Sequence, residues 1–161
     1  MKKIRKWVFE TNSSSTHAIV VDTKTEYTKG LFNTDNPIYV EWGEFWWEED
    51  VYNDFHTKLD YMITMVNSYD NNFFERIQKL LFDKTWLKIE KNFTDQDYIY
   101  VDHQDPSLFT EMKDTEILQY LFNDKSRVVT GNDNVYEDSY DMKEANKLEG
   151  VEWYNVYYKG N

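Results

Sequence analysis

The alternation of apolar and polar residues divides this chain into strand-like ends and a helical middle. "IRKWVFE" (4–10) and "HAIVVD" (17–22) are short β-branched and aromatic runs of strand type. Between them lies "TNSSST" (11–16), six hydroxyl or amide side chains in a row. "PIYVEW" (37–42) reads as a further strand, with Pro37 at its first position, where a missing donor is tolerated. From Asp54 the period turns helical: Phe55, Leu59, Met62, Ile63 and Val66 recur on one face. "NNFFERIQKLLFD" (71–83) repeats it through Phe73, Phe74, Ile77, Leu80 and Leu81, with Asn71 as the expected N-cap. "WLKIEKN" (86–92) and "DYIYVD" (97–102) return to strand pattern, "TEILQYLF" (115–122) is a short helix, and "RVVTG" (127–131) a strand ending in a turn. A polar helix over 142–148 and a closing strand over 151–159 complete the pattern. Strands paired at both ends around central helices predict an α+β fold: a mixed, largely antiparallel sheet of about five to seven strands packed with two to four helices. No internal repeat or linker-like stretch interrupts it, so residues 1–161 read as a single domain.

Composition adds the kind of apolar residue. Six Trp, thirteen Tyr and ten Phe supply much of the hydrophobic content, a choice that suits both cores and interfaces. There is no cysteine, which excludes thiol catalysis, disulfides and cysteine-based zinc sites. No apolar stretch follows the basic opening residues as a signal peptide would require, and none is long enough to span a membrane. A soluble, cytoplasmic protein is therefore expected. The net charge of −12 argues against direct nucleic-acid or membrane binding and favours a basic protein surface as partner.

Three features carry candidate chemistry. Asn12, Ser13, Ser14, Ser15 and Thr16 could line an anion site, beside the basic cluster Lys2, Lys3, Arg5 and Lys6. The run lacks the glycines of a P-loop or a nucleophile elbow. A Ser–His pair with His17 is disfavoured, because strand neighbours two apart project side by side. The plain alternative is a turn held by side-chain-to-backbone hydrogen bonds, with His17 a satisfied strand residue.

The second feature is "EWGEFWWEEDVYND" (41–54), six carboxylates and five aromatics without one Lys or Arg. Glu41, Glu44, Glu48, Glu49 and Asp50, with Trp46 and Trp47, are the expected partner-binding residues. Unpaired carboxylates must face solvent or a cationic partner. The competing reading is a solvated edge whose aromatic side chains plug the core. The third feature is the trio of isolated histidines, which show no metal-ligand spacing. His103, in "VDHQD" (101–105), and Asp133, in the turn "TGNDN" (130–134), lie at strand ends and join the candidate ligand site. No metal or cofactor is assigned to it, although those carboxylates are of the type that holds a hard divalent ion.

"FETNSSSTHA" (9–18) resembles the opening of a family of short uncharacterised proteins from Firmicute bacteria and their phages. "TGNDN" is similar to a G-S/N-D-N segment of the same family, and "WGEF", "TKLDYM", "VDHQ" and "EILQYLF" fit as a set. The likeness spans about residues 9–134 and implies a mobile-element context, with the hydroxyl run and "GNDN" as a shared site. It brings no activity with it. Two functions are open. One is an acidic inhibitor of a host nucleic-acid-binding or defence protein, of anti-CRISPR or anti-restriction type. The other is a small enzyme or ligand-binding domain for a phosphate-bearing or nucleotide substrate. Whether the protein is an enzyme is left open.

Overall fold

A computed structural model describes residues 17–23, 35–43, 45, 50–67, 69–94, 101, 106–130 and 156–159. Along the chain these form β1 (Ala18–Val20), β2 (Ile38–Val40), β3 (Asp50–Tyr52), α1 (Phe55–Asn67), α2 (Phe73–Thr85), β4 (Ile89–Lys91), α3 (Ser107–Glu111), α4 (Asp114–Phe122), β5 (Arg127–Thr130) and β6 (Val156–Lys159). The architecture is α+β. An antiparallel sheet runs in the order β3-β5-β1-β6, and a separate two-stranded sheet pairs β2 with β4. That second pairing is parallel, joining Ile38 to Ile89 and Val40 to Lys91.

Helix α1 is the centre. Its N-terminus is capped by Asp54, whose carboxylate accepts the Thr57 N–H at 2.8 Å. Nine of its residues are buried, including Lys58, Tyr61 and Thr64 as well as the apolar Leu59, Met62, Ile63 and Val66. A helix buried beyond a single stripe is one that is packed on several sides. Here α2, α3, α4 and β2 all pack on it. Arg76 of α2 then locks the α3–α4 corner, donating to Thr110 O (3.1 Å), Met112 O (2.7 Å) and the Asp114 carboxylate (2.9 Å).

β1 and β5 are central strands. Ile19, Val20, Val128 and Val129 are all buried, so both faces are covered and the sequence shows continuous apolar residues rather than alternation. The register places Ala18 opposite Val129, and Asp50 opposite Thr130. The start of β1, the end of β5 and the start of β3 therefore share one end of the sheet.

The sequence reading needs amendment at three points. The N-cap of α2 is Asn72, not Asn71, and its own N–H is held by Asp70 at 2.9 Å. β3 lies inside the acidic stretch, and α3 follows Pro106; neither short element was anticipated. The expected elements over 4–10 and 142–148 lie outside the described residues, as does that over 97–102 except for the buried Val101.

Candidate functional site

The acidic-aromatic stretch meets the core through Phe45. Its ring is only 7% exposed and stands edge-on to Tyr52 (5.7 Å) and to Tyr61 of α1 (4.8 Å). Gly43, two residues earlier, donates its N–H to Thr64 Oγ1 at 3.2 Å and fastens the segment to α1. Trp42 is half-buried and stacks on Phe93 at 4.0 Å. The described acids of the stretch turn outward: Glu41, Asp50 and Asp54 are exposed. An aromatic plug with solvated acids is thus what the described part of this stretch presents.

Asp60, on α1, joins those acids. Its Oδ1 accepts the Glu41 N–H at 3.1 Å, and Glu41 Oε1 in turn accepts from Asn92 Nδ2 at 3.2 Å. Burial, with Glu41 and Asp54 adding like charge, pushes Asp60 up to about 6 despite the lowering effect of the Glu41 N–H. At Asp54, burial acts in the same upward direction, but the Thr57 hydrogen bonds outweigh it and hold the carboxyl below its usual range.

A proton therefore stabilises the fold through Asp60. Because its native pKa lies above the unfolded value, this contribution is full below about pH 4 and is lost as pH rises through 6. Asp60→Asn keeps an oxygen to accept the Glu41 N–H and removes the charge. It is expected to raise stability at pH 7 by about 1 kcal/mol, after allowance for solvent at the half-buried carboxylate, and to change nothing near pH 3.5. Urea unfolding of both proteins across that range is the check.

His17 is the only residue of the anion-site set among those described, and it is wholly buried. Its Nδ1 is hydrogen-bonded to the Tyr61 hydroxyl at 3.0 Å, the tautomer deciding which group donates. Tyr61 also touches Phe109 (6.3 Å). Both sequence-derived candidate regions therefore reach the same side chain: Phe45 from the acidic stretch and His17 from the hydroxyl run converge on Tyr61. Asp22 lies beyond the other end of β1, where its N–H donates to Ser126 Oγ at 2.9 Å.

Asn12, Ser13, Ser14, Ser15, Thr16, His103, Asp133, Glu44, Trp46, Trp47, Glu48 and Glu49 lie outside the described residues. The described strand ends next in sequence to the hydroxyl run and to "GNDN", the start of β1 and the end of β5, are paired in the sheet. Among the described residues, no three His, Asp or Glu side chains are grouped to hold a metal.

The sequence reading missed Lys58, which is 1% exposed. Its Nζ donates to Asn123 O (2.8 Å) and Ser126 O (3.1 Å), while Tyr120 OH donates to Lys58 O (3.0 Å). Asn123 Nδ2 continues the network to Asp22 O at 3.0 Å. Burial pushes this lysine down to about 8, opposed by Asp54 and Asp124. It holds the turn between α4 and β5 and is closed to any ligand. The signal was present: position 58 falls on the same helical face as Phe55, Leu59 and Met62.

Comparison with protein-family models, with curated proteins and with solved structures finds no match for this chain. Among the described residues, no helix is long and apolar enough to cross a membrane.

Proposed function

We propose that this chain is a non-enzymatic binding protein that inhibits a host nucleic-acid-binding or defence protein, presenting the acidic surface of residues 41–54 and Asp60 to a basic groove. The observation that carries this reading is the setting of Asp60. The charges that reach it, from Glu41 and Asp54, are both negative; the cations that act on Asp54, Lys58 and His56, do not extend to Asp60. A surface that sets like charge beside a half-buried carboxylate gains from a partner's Lys or Arg. The exposed Asp50 and the net charge of −12 act in the same direction. The phage or mobile-element setting rests on the resemblance of "FETNSSSTHA" and "TGNDN" and is part of the proposal.

A second reading has its own support. The strand ends that carry the hydroxyl run and the "GNDN" turn are neighbours in one sheet, as a shared ligand site for a phosphate-bearing or nucleotide substrate would need. Its acid–base group would not be His17, whose ring is buried against Tyr61.

Capture from a Firmicute host lysate separates the two. Wild type, a charge-reversed variant (Glu41→Lys, Asp50→Lys, Asp54→Lys) and a Ser14→Ala, Ser15→Ala variant would be compared by quantitative mass spectrometry. Asp54 caps α1, so the melting point of the reversed variant is measured alongside, with Glu41→Lys, Asp50→Lys as the version that leaves the cap intact. Loss of a basic protein from the reversed variants alone supports the acidic surface. Loss from the serine variant alone overturns it in favour of the ligand site.

A further inference from the structure

The outer face of α2 has a feature that neither acidic surface nor hydroxyl run explains. Glu75, Gln78, Lys79, Phe82 and Lys88 line an open groove of about 300 Å³, at the lower end of the range for small-molecule sites. Phe82 is 41% exposed, and Trp86, 69% exposed, stands edge-on to it at 5.5 Å. Trp86 closes α2 with φ 62° and ψ 10°, its N–H bonded to Phe82 O at 3.0 Å. A bulky residue in this left-handed region stores strain of about 1–2 kcal/mol that glycine would avoid, and such strain tends to persist where a side chain is used.

The polar lining has a direction as well. The side chains of Lys79 and Lys88 form no ion pair or hydrogen bond among the described residues, whereas Gln78 is held by its side-chain amide to Ile89 O at 2.8 Å. With Glu75 the lining is singly positive, a local reversal of sign on a chain of net charge −12. At physiological salt, fields decay over roughly 8 Å, so the lining lysines, with Asp83 one helical turn from Lys79 as a further nearby acid, act on a small ligand more than on a long polyanion.

We propose that this groove binds a planar aromatic anion of nucleoside-monophosphate type, its ring against Phe82 and Trp86 and its phosphate between Lys79 and Lys88. Aromatic stacking and two cationic donors are the complementary halves of such a ligand. The inference is independent of the acidic surface, which lies on other residues.

Isothermal titration with adenosine monophosphate at 0.15 M salt is the test, on the whole chain. Saturable binding is expected, with Kd on the order of 0.1–1 mM for so open a site. Lys79→Ala with Lys88→Ala, and separately the use of adenosine, should each weaken it about tenfold. Trp86→Gly, which suits the backbone at φ 62°, should weaken it several-fold while the melting curve shows an intact fold. A short single-stranded oligodeoxyadenylate distinguishes the ligand's source. Tighter binding of the strand would assign the same base-and-phosphate chemistry to single strands, whereas equal or weaker binding assigns it to the free nucleotide. Absence of saturation at about ten times the expected Kd, adenosine binding as well as its phosphate, or unaltered binding by the lysine variant overturns the proposal.

Discussion

Replacing Lys58 by alanine is expected to destabilise the protein by about 3–5 kcal/mol, a large share of the total for a domain of this size. Two losses combine. The aliphatic stem leaves a cavity beside Tyr120, and the Asn123 and Ser126 carbonyls lose their shared donor in a buried setting. Lys58→Met refills most of the volume and should recover about half the loss, since a buried ammonium is itself expensive. The pH dependence identifies the charge. With the native pKa pushed down to about 8 from the ordinary 10.5, native and unfolded chains are both protonated below 8, and the burial penalty is constant there. Between 8 and 10.5 the native amine is neutral while the unfolded one still binds a proton, so this group's contribution to stability rises with pH. The difference in unfolding free energy between wild type and Lys58→Met, measured in urea from pH 7 to 10.5, should widen in favour of wild type by about 2–3 kcal/mol. A flat difference would mean that the lysine titrates normally.

Gly43→Ala carries the second large effect, at about 3 kcal/mol, or roughly 6–12 °C in melting temperature. An added Cβ would overlap the Phe45 ring. That ring has little room to retreat, because it is seated edge-on between Tyr52 and Tyr61. The glycine is needed for space, not for an unusual backbone angle. The substitution leaves every charge of the acidic stretch unaltered, so weakened partner binding in a still-folded Gly43→Ala protein would show that Phe45 positions the acids. A loss below about 1 kcal/mol would mean that the ring reseats freely.

The two long helices were legible because their period is long and repeated: Phe55 to Val66 and Phe73 to Leu81 leave little choice of face. β3 was not, since three residues bearing an exposed Asp50 and Val51 give no alternation to read, and burial by neighbouring strands is a property of the sheet. The parallel partnership of β2 and β4 depends on segments nearly fifty residues apart, beyond any local pattern. The described acids of the stretch, Glu41, Asp50 and Asp54, were legible as exposed charge. What the sequence could not supply was Asp60, whose own helix presents it to Glu41, nor Tyr61, which meets His17 across 44 residues. Lys58 was overlooked although its helical position was in plain view, because a charged residue on an apolar face conflicts with the usual rule of burial.

The acidic surface is tested most directly by the affinity for the captured basic partner as ionic strength rises from about 0.05 to 0.5 M. If Glu41, Asp50 and their neighbours carry recognition, log Kd should climb steeply with log salt for wild type, and the slope should flatten in the Glu41→Lys, Asp50→Lys variant. An affinity indifferent to salt, or a slope unchanged by reversing those two charges, would contradict it.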